Sequence, residues 1–255
     1  MDHETPEFAA LAEGGTILRC QIGSGLHGTA VTEQGDRDEM GICVEPPEYV
    51  AGLKRFDQYV FRSQPEGGRS GVGDLDLIVY SLRKWMRLAL NGNPTVLLPL
   101  FAPESELVRV EELGHELRAH ADRIISRQAA ARFLGYCRAQ RGNLLVRRGM
   151  PARPELIEKY GFDTKYAMHM VRLGVQGVEL LETGRMTLPM AEPWRTWLVE
   201  LRQGRHTQGE ALDAVVELED KLERLQTTSP LRERPDAEWA DQWLVRAHQR
   251  AWKMT

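Results

Sequence analysis

The residues best suited to chemistry lie in two short segments near the N-terminus and one further along the chain. Gly23 and Ser24 directly follow a strand-like stretch, where small residues expose backbone amides and a hydroxyl to an approaching phosphate. Asp36 and Asp38 are two residues apart, so in an extended strand both carboxylates project from one face and suit a shared Mg²⁺ ion. Asp76 lies in a second strand-like segment, LDLIVY. If these strands are neighbours, three carboxylates converge and can hold two metal ions across a transferring phosphoryl group.

Two nearby features compete with this interpretation. Asp74 would share a face with Asp76, but it adjoins Gly73 and is more typical of the end of a loop, so we favour Asp76 as the third carboxylate. Residues 67–73, GGRSGVG, contain the glycines of a phosphate-binding loop but lack its strand-turn-helix context. We therefore predict a hairpin connection there.

A second group of candidate residues is basic. Lys165, His169 and Arg172 are separated by four and three residues, so they line one face of a helix that Asp163 or Thr164 can cap. This basic stripe either faces a phosphate in a cleft or is a solvated helix surface. Lys84 follows the Asp76 strand, in the first turn of a predicted helix. It is either close enough to reach a phosphate or an ordinary surface lysine.

The elements that must position these residues change in type along the chain. Strand-like alternation covers residues 16–22, 39–44, 58–61 and 75–80, all within the first hundred residues. Helical periodicity dominates the rest, at residues 111–125, 127–147, 164–183, 209–225 and 238–253. We therefore predict an α+β fold: a catalytic domain over residues 1–110, with a small mixed sheet flanked by helices, and a helical domain over residues 111–255 that closes one side of the cleft.

Four sequence blocks in order carry a family resemblance. They are GSGLHGT (23–29), GDRDEMGI (35–42), DLIVYSLRKWMRLALNGNPT (76–95) and FDTKYAMHMVRL (162–173). Together they resemble nucleotidyltransferases of the DNA polymerase β superfamily, and most closely the RNA-repair-associated type that is also common in phages. The chain departs from that pattern at His27, where the family often has an aromatic residue, and at Gly35, where it often has Ser or Asn.

The resemblance implies a polymerase-β-like fold and a role for each candidate. Gly23 and Ser24 would hold a nucleoside triphosphate, and Asp36 and Asp38 would ligate two Mg²⁺ ions, for which Mn²⁺ is an alternative. Asp76 would ligate one ion and accept the acceptor's proton as a nucleoside monophosphate is transferred and pyrophosphate is released. The basic stripe would bind the triphosphate or a phosphate of the acceptor.

Composition limits the setting of this chemistry. The net charge of −4 argues against a protein that coats nucleic acid non-specifically, although residues 132–172 hold nine basic and three acidic residues, a local balance of +6. This segment favours RNA over a protein hydroxyl or a small molecule as the acceptor. The three scattered cysteines indicate neither a disulfide nor a zinc framework. The acidic N-terminus and the lack of a long apolar run predict a cytoplasmic protein without a membrane span, and they do not indicate an oligomeric state.

Two rival functions do not require turnover. A non-catalytic antitoxin-like or regulatory partner would keep the fold and bind nucleotide without transferring it. A helical RNA-binding protein would use the basic segment alone. The intact set Asp36, Asp38 and Asp76 argues against a degenerate site.

Overall fold

The computed structural model describes residues 3–31, 37–64, 71, 73–145 and 153–253. Asp36, Gly35, Arg147 and Arg148 lie outside these ranges. The strands are β1 (Thr16–Gln21), β2 (Arg37–Cys43), β3 (Gln58–Arg62), β4 (Leu75–Ser81) and β5 (Leu107–Val110). The helices are α1 (Pro6–Gly15), α2 (Ser24–His27), α3 (Pro47–Val50), α4 (Leu82–Leu90), α5 (Leu98–Phe101), α6 (Glu112–Ala119), α7 (Ala121–Ile124), α8 (Ala129–Leu145), α9 (Pro154–Tyr160), α10 (Thr164–Thr183), α11 (Trp194–Arg202), α12 (Gln208–Thr228) and α13 (Ala237–Lys253).

The strands form one mixed sheet in the order β3-β4-β2-β1-β5. The pairs β1 with β2, β1 with β5 and β3 with β4 are antiparallel, whereas β2 and β4 are parallel. In the β2/β4 register Asp38 lies opposite Asp76. The strands that carry Asp38 and Asp76 are therefore neighbours, as convergence of their carboxylates requires.

Helices α8, α10 and α12 pack on one another in the second half of the chain. Their buried residues belong to the same hydrophobic core as those of β1, α4 and α13, with Trp85, Phe133 and Trp243 among the largest fully buried side chains. The predicted domain boundary at residues 110/111 falls between β5 and α6. The mixed α+β architecture predicted from the sequence is confirmed.

Some elements differ from the prediction. The sequence analysis assigned neither α1 nor β5, and the helix predicted over 111–125 is divided into α6 and α7 at His120. The His120 ring lies 2.8 Å from the Glu116 carbonyl, so the side chain competes for a backbone acceptor that would otherwise continue the helix. No helix within the described ranges is long and apolar enough to cross a membrane.

Close contact between α10 and α8 depends on Gly177. A Cβ added there would lie 2.7 Å from Phe133 Cδ1, so Gly177→Ala should overpack the core and lower the free energy of unfolding by about 1–3 kcal/mol. The matched control is Gly135→Ala on the exposed side of α8, where an added Cβ meets nothing within 4 Å. It should raise stability by about 0.5–1 kcal/mol, because alanine favours a helix. Urea unfolding of both variants measures this, and equal shifts in the same direction would refute the packing argument.

Candidate active site

The loop after β1 is held against β2 by its backbone. The Ile22 amide donates to the Asp38 carbonyl at 2.8 Å, which places Gly23 beside the Asp38 side chain. A Cβ on Gly23 would lie 2.6 Å from Asp38 Oδ2, so a larger residue would displace the carboxylate. Ser24 follows at the start of α2 and is exposed. Glycine at position 23 thus lets the loop and the carboxylate share one end of the sheet.

Asp38 and Asp76 face the same side of the sheet. They are register partners on parallel neighbouring strands, whose backbones are about 4.8 Å apart. Glu39 alternates to the opposite face, where it is fully buried and its carboxylate accepts from Arg19 Nε and Arg37 Nη2, each at 2.5 Å. The Glu39 carboxylate is therefore paired with arginines on its own face of the sheet, whereas the two aspartates lie on the other face.

Asp74 is committed to the loop that precedes β4. Its carboxylate accepts from Ser63 Oγ at 2.9 Å and from the Gly71 amide at 2.8 Å, and its carbonyl accepts from the Arg37 amide at 2.7 Å. The hydrogen bonds from the Gly71 amide and Ser63 lower the pKa of Asp74 below its usual value. This geometry supports Asp76 over Asp74 as the third carboxylate.

The facing wall of the cleft comes from the helical half of the chain. Lys165, His169 and Arg172 on α10 line a cavity of about 440 Å³. Its other lining residues include Gly23, Ser24 and Asp38 from the sheet side and Arg202 at the end of α11. The structure therefore brings Asp38, beside Gly23 and Ser24, to the same cavity as the basic residues of α10.

Arg172 is oriented by buried polar side chains. Its guanidinium donates to His27 Nε2, to Gln176 Oε1 at 3.2 Å and to His169 Nδ1 at 3.3 Å. Because a guanidinium only donates, His27 accepts through Nε2. The other ring nitrogen, Nδ1, lies 3.1 Å from Gln176 Nε2. Burial lowers the pKa of Arg172 to about 10, so it remains a cation at neutral pH. His27, predicted only as a departure from the family pattern, is thus a buried support for Arg172.

Within the basic stripe predicted from the sequence, His169 is a neutral residue that lines the cavity. Burial, followed by the positive charge of Arg172, lowers the pKa of His169 well below its usual value, so the ring is neutral at pH 7. Arg202 supplies a cation instead, and its Nη1 donates to Thr164 Oγ1 at 3.2 Å. Burial and the neighbouring Arg153 lower the pKa of Arg202. Arg202 is not among the candidates predicted from the sequence, because no helix was predicted over residues 194–202.

Lys84 does not lie beside the predicted metal ligands. Asp76 is the second residue of β4, whereas Lys84 lies beyond Ser81, the last one. Five residues of extended strand separate Asp76 from Ser81, which amounts to about 17 Å. Lys84 Nζ donates to Gln58 Oε1 at 2.7 Å at that far end. The assignment of Lys84 to a phosphate in this cleft is therefore not supported by its position.

The buried His27 predicts a pH dependence of stability. Burial, and then the charge of Arg172, hold its pKa well below its usual value, so the unfolded chain binds a proton below about pH 6.5 that the folded chain does not. Stability should therefore fall on acidification by up to about 1.4 kcal/mol per pH unit from this group. In His27→Gln this contribution disappears, so the difference in unfolding free energy between wild type and variant should shrink from pH 7.5 to pH 5.5.

Urea unfolding at both pH values measures this difference. His115→Gln, which removes an exposed imidazole on α6, is the control. A wild-type-to-variant difference that is identical at the two pH values would contradict a buried neutral His27.

Together, a small mixed sheet flanked by helices, a glycine-serine loop beside in-register aspartates and a helical region that follows define a polymerase-β-like nucleotidyltransferase fold. The chain belongs to the RNA repair pathway DNA polymerase beta family, whose sequence profile matches residues 3–246. The resemblance given by the four sequence blocks is thereby confirmed.

Other comparisons add little. A solved structure described as a nucleotidyltransferase-like protein from Exiguobacterium sibiricum 255-15 is similar over 95% of this chain and 77% of that one, with 11% identity and a TM-score of 0.31. No curated protein matches the chain significantly.

Proposed function

We propose that the protein is a Mg²⁺-dependent nucleotidyltransferase that transfers a nucleoside monophosphate from a nucleoside triphosphate to the hydroxyl of an RNA end. The observation that carries this proposal is that Asp38, the register partner of Asp76, lines the same cavity as Lys165, Arg172 and Arg202. Carboxylates on one wall and cations on the other suit a polyphosphate bound with divalent metal.

The triphosphate would lie between the loop after β1 and α10. Gly23 leaves room for the chain to approach Asp38, and Ser24 is exposed and offers a hydroxyl. Lys165 and Arg172 would neutralise phosphate oxygens from the opposite side, and Arg202 extends that wall. Each such charge-assisted contact contributes about 1.5–3 kcal/mol.

The residues fit the metal that the family implies. Asp38 and Asp76 present hard carboxylate oxygens from one face of the sheet, as Mg²⁺ or Mn²⁺ requires, and Asp36 joins them by the family pattern although it lies outside the described residues. Within the described ranges no group of three His, Cys, Asp or Glu side chains is arranged for a metal ion. When bound, two such ions would supply charge stabilisation to the transferring phosphoryl group.

Asp76 would orient the acceptor and receive its proton. The acceptor oxygen forms a bond to the α-phosphorus, the bond between the α-phosphorus and the bridging oxygen to the β-phosphate breaks, and pyrophosphate leaves with that oxygen. The hydroxyl proton passes to the Asp76 carboxylate. Asp38 would stay on the nucleotide side, beside Gly23. The two carboxylates thus divide the work between the two substrates.

RNA is favoured as acceptor by the family description and by the cations near the cleft. The basic segment supports this less than its sequence suggests, because Arg138 and Arg141 form ion pairs with Glu219 and Glu223 on α12. The helical part, residues 111–255, supplies the cation wall to a catalytic part that spans residues 1–110. We propose this division as the domain organisation.

Nucleotide binding separates this proposal from a protein that acts only through partner contacts. Mg²⁺ together with a non-hydrolysable nucleoside triphosphate should raise the melting temperature of the wild type, and Asp38→Asn should weaken that effect. Asp74→Asn is the matched control, because its carboxylate is engaged by the loop. No shift with any of the four nucleotides would contradict the proposal. RNA affinity that is unchanged after all three aspartates are neutralised, without nucleotide binding, would favour an RNA-binding protein.

A further inference from the structure

Arg62 continues the row of aspartates across the sheet. Asp38 pairs with Asp76 across β2 and β4, and Asp76 pairs with Arg62 across β4 and β3. Register partners on adjacent strands share a face, so the three side chains stand side by side. Arg62 Nε lies 3.8 Å from Asp76 Oδ1. The sequence analysis did not single out this arginine.

Arg62 lies on the opposite side of Asp76 from the nucleotide wall. The sheet order places β3 two strands from β2, so Arg62 is about 10 Å from the backbone of Asp38. Among the described residues, Gly23, Ser24, Asp38 and the α10 cations line the cavity, whereas Asp76 and Arg62 do not. A nucleotide held at the cavity would therefore leave Arg62 facing the acceptor.

The contact between Arg62 and Asp76 is loose. A distance of 3.8 Å exceeds that of a hydrogen bond, and 65% of the Arg62 side chain is exposed. Exposed ion pairs of this kind contribute little to stability. The guanidinium is therefore accessible to a second anion, and its planar fork fits two oxygens of a phosphate.

We propose that Arg62 is a positioning residue that binds a phosphate of the acceptor next to the attacking hydroxyl. The acceptor is then a hydroxyl compound that carries its own phosphate, either the end of a nucleic acid strand or a free nucleotide. Binding of this phosphate holds the acceptor hydroxyl next to Asp76. The hydroxyl oxygen then bonds to the α-phosphorus as the bond from the α-phosphorus to pyrophosphate breaks, and the hydroxyl proton passes to the Asp76 carboxylate. This inference rests on the proposed function.

The test compares acceptors in steady-state transfer assays with Mg²⁺ and each nucleoside triphosphate. The acceptors are a short RNA with a free 3′ hydroxyl, adenosine 5′-monophosphate and unphosphorylated adenosine. Arg62→Gln should raise KM for the phosphate-bearing acceptor by at least about 10-fold, with KM for the triphosphate unchanged. Arg62→Lys should recover part of the loss, because it restores the charge without the fork. Arg83→Gln, an exposed arginine on α4 with the same charge change, should match the wild type.

Comparison of the acceptors distinguishes a strand end from a free nucleotide as the source of the phosphate. It also distinguishes failure of the Arg62 inference from failure of the proposed function. An Arg62 effect with RNA indicates a strand end, and one with adenosine 5′-monophosphate indicates a free nucleotide. An unchanged acceptor KM in Arg62→Gln, or a wild type that uses adenosine as well as the phosphate-bearing acceptors, overturns the inference. A wild type that binds Mg²⁺ and nucleotide but transfers no nucleotidyl group to a phosphate-bearing acceptor also overturns the inference. The proposed nucleotide binding would then still stand. A wild type that binds no nucleotide defeats the proposed function itself.

Discussion

Asp38→Asn and Asp76→Asn should each lower the rate of nucleotidyl transfer by at least about 10²-fold while the protein still folds. Asparagine keeps the shape of the side chain and removes the charge that a divalent metal requires. Both side chains are half-buried and neither belongs to the hydrophobic core, so the fold should tolerate the change. Asp36→Asn should behave like Asp38→Asn, because the family pattern gives the two residues the same role.

The two variants should differ in nucleotide binding. Asp38 adjoins Gly23 at the proposed nucleotide side, so Asp38→Asn should weaken Mg²⁺-dependent triphosphate binding. Asp76→Asn should retain more of that binding and lose the chemistry, because the role proposed for Asp76 lies nearer the acceptor. Asp74→Asn should stay largely active, because the Asp74 carboxylate accepts hydrogen bonds from Ser63 and the Gly71 amide within its own loop. Transfer at the wild-type rate by Asp76→Asn, together with loss in Asp74→Asn, would show that the third carboxylate is wrongly assigned.

Lys165→Ala and Arg172→Ala should weaken binding of the triphosphate or the acceptor by about 1.5–3 kcal/mol each, which is roughly a 10- to 100-fold change in apparent affinity. Lys165→Ala should do so with little effect on stability. Arg172→Ala should also destabilise the fold by about 1–3 kcal/mol, because it leaves His27 and Gln176 without the guanidinium that joins them.

Titration with each substrate and urea unfolding together separate these two effects. Lys159→Ala is the control, because it removes an exposed cation on α9 outside the cleft. Unchanged affinity for both substrates in both α10 variants would show that this helix face is only surface.

Much of the frame could be predicted from the sequence, because it depends on local patterns. Alternation in LDLIVY predicted β4, and the spacing of apolar residues after Asp163 predicted α10, which begins and ends where expected. The sequence did not predict that β2 pairs with β4, because strand order depends on contacts between segments that are distant in the chain. The pairing became evident from the register of Asp38 with Asp76.

The errors and omissions have non-local causes. Lys84 is close to Asp76 in sequence, but β4 runs between them and carries Lys84 to the opposite end of the sheet. Arg202 reaches the cleft only because α11 packs on α10. Arg62 depends on the register of the hairpin between β3 and β4. The neutrality of His169 follows from its burial, which a helical spacing does not reveal.

Transfer of a nucleoside monophosphate to RNA can be followed through the α-phosphate of the nucleotide. Purified protein is incubated with Mg²⁺, RNA that bears a free 3′ hydroxyl, and each nucleoside triphosphate labelled at the α-phosphorus. We expect label to become covalently attached to the RNA with release of an equal amount of pyrophosphate, and we expect chelation of the metal or Asp76→Asn to prevent both. Triphosphate bound in the cleft with no label transferred to RNA, or transfer that persists in Asp76→Asn, would contradict the proposed function.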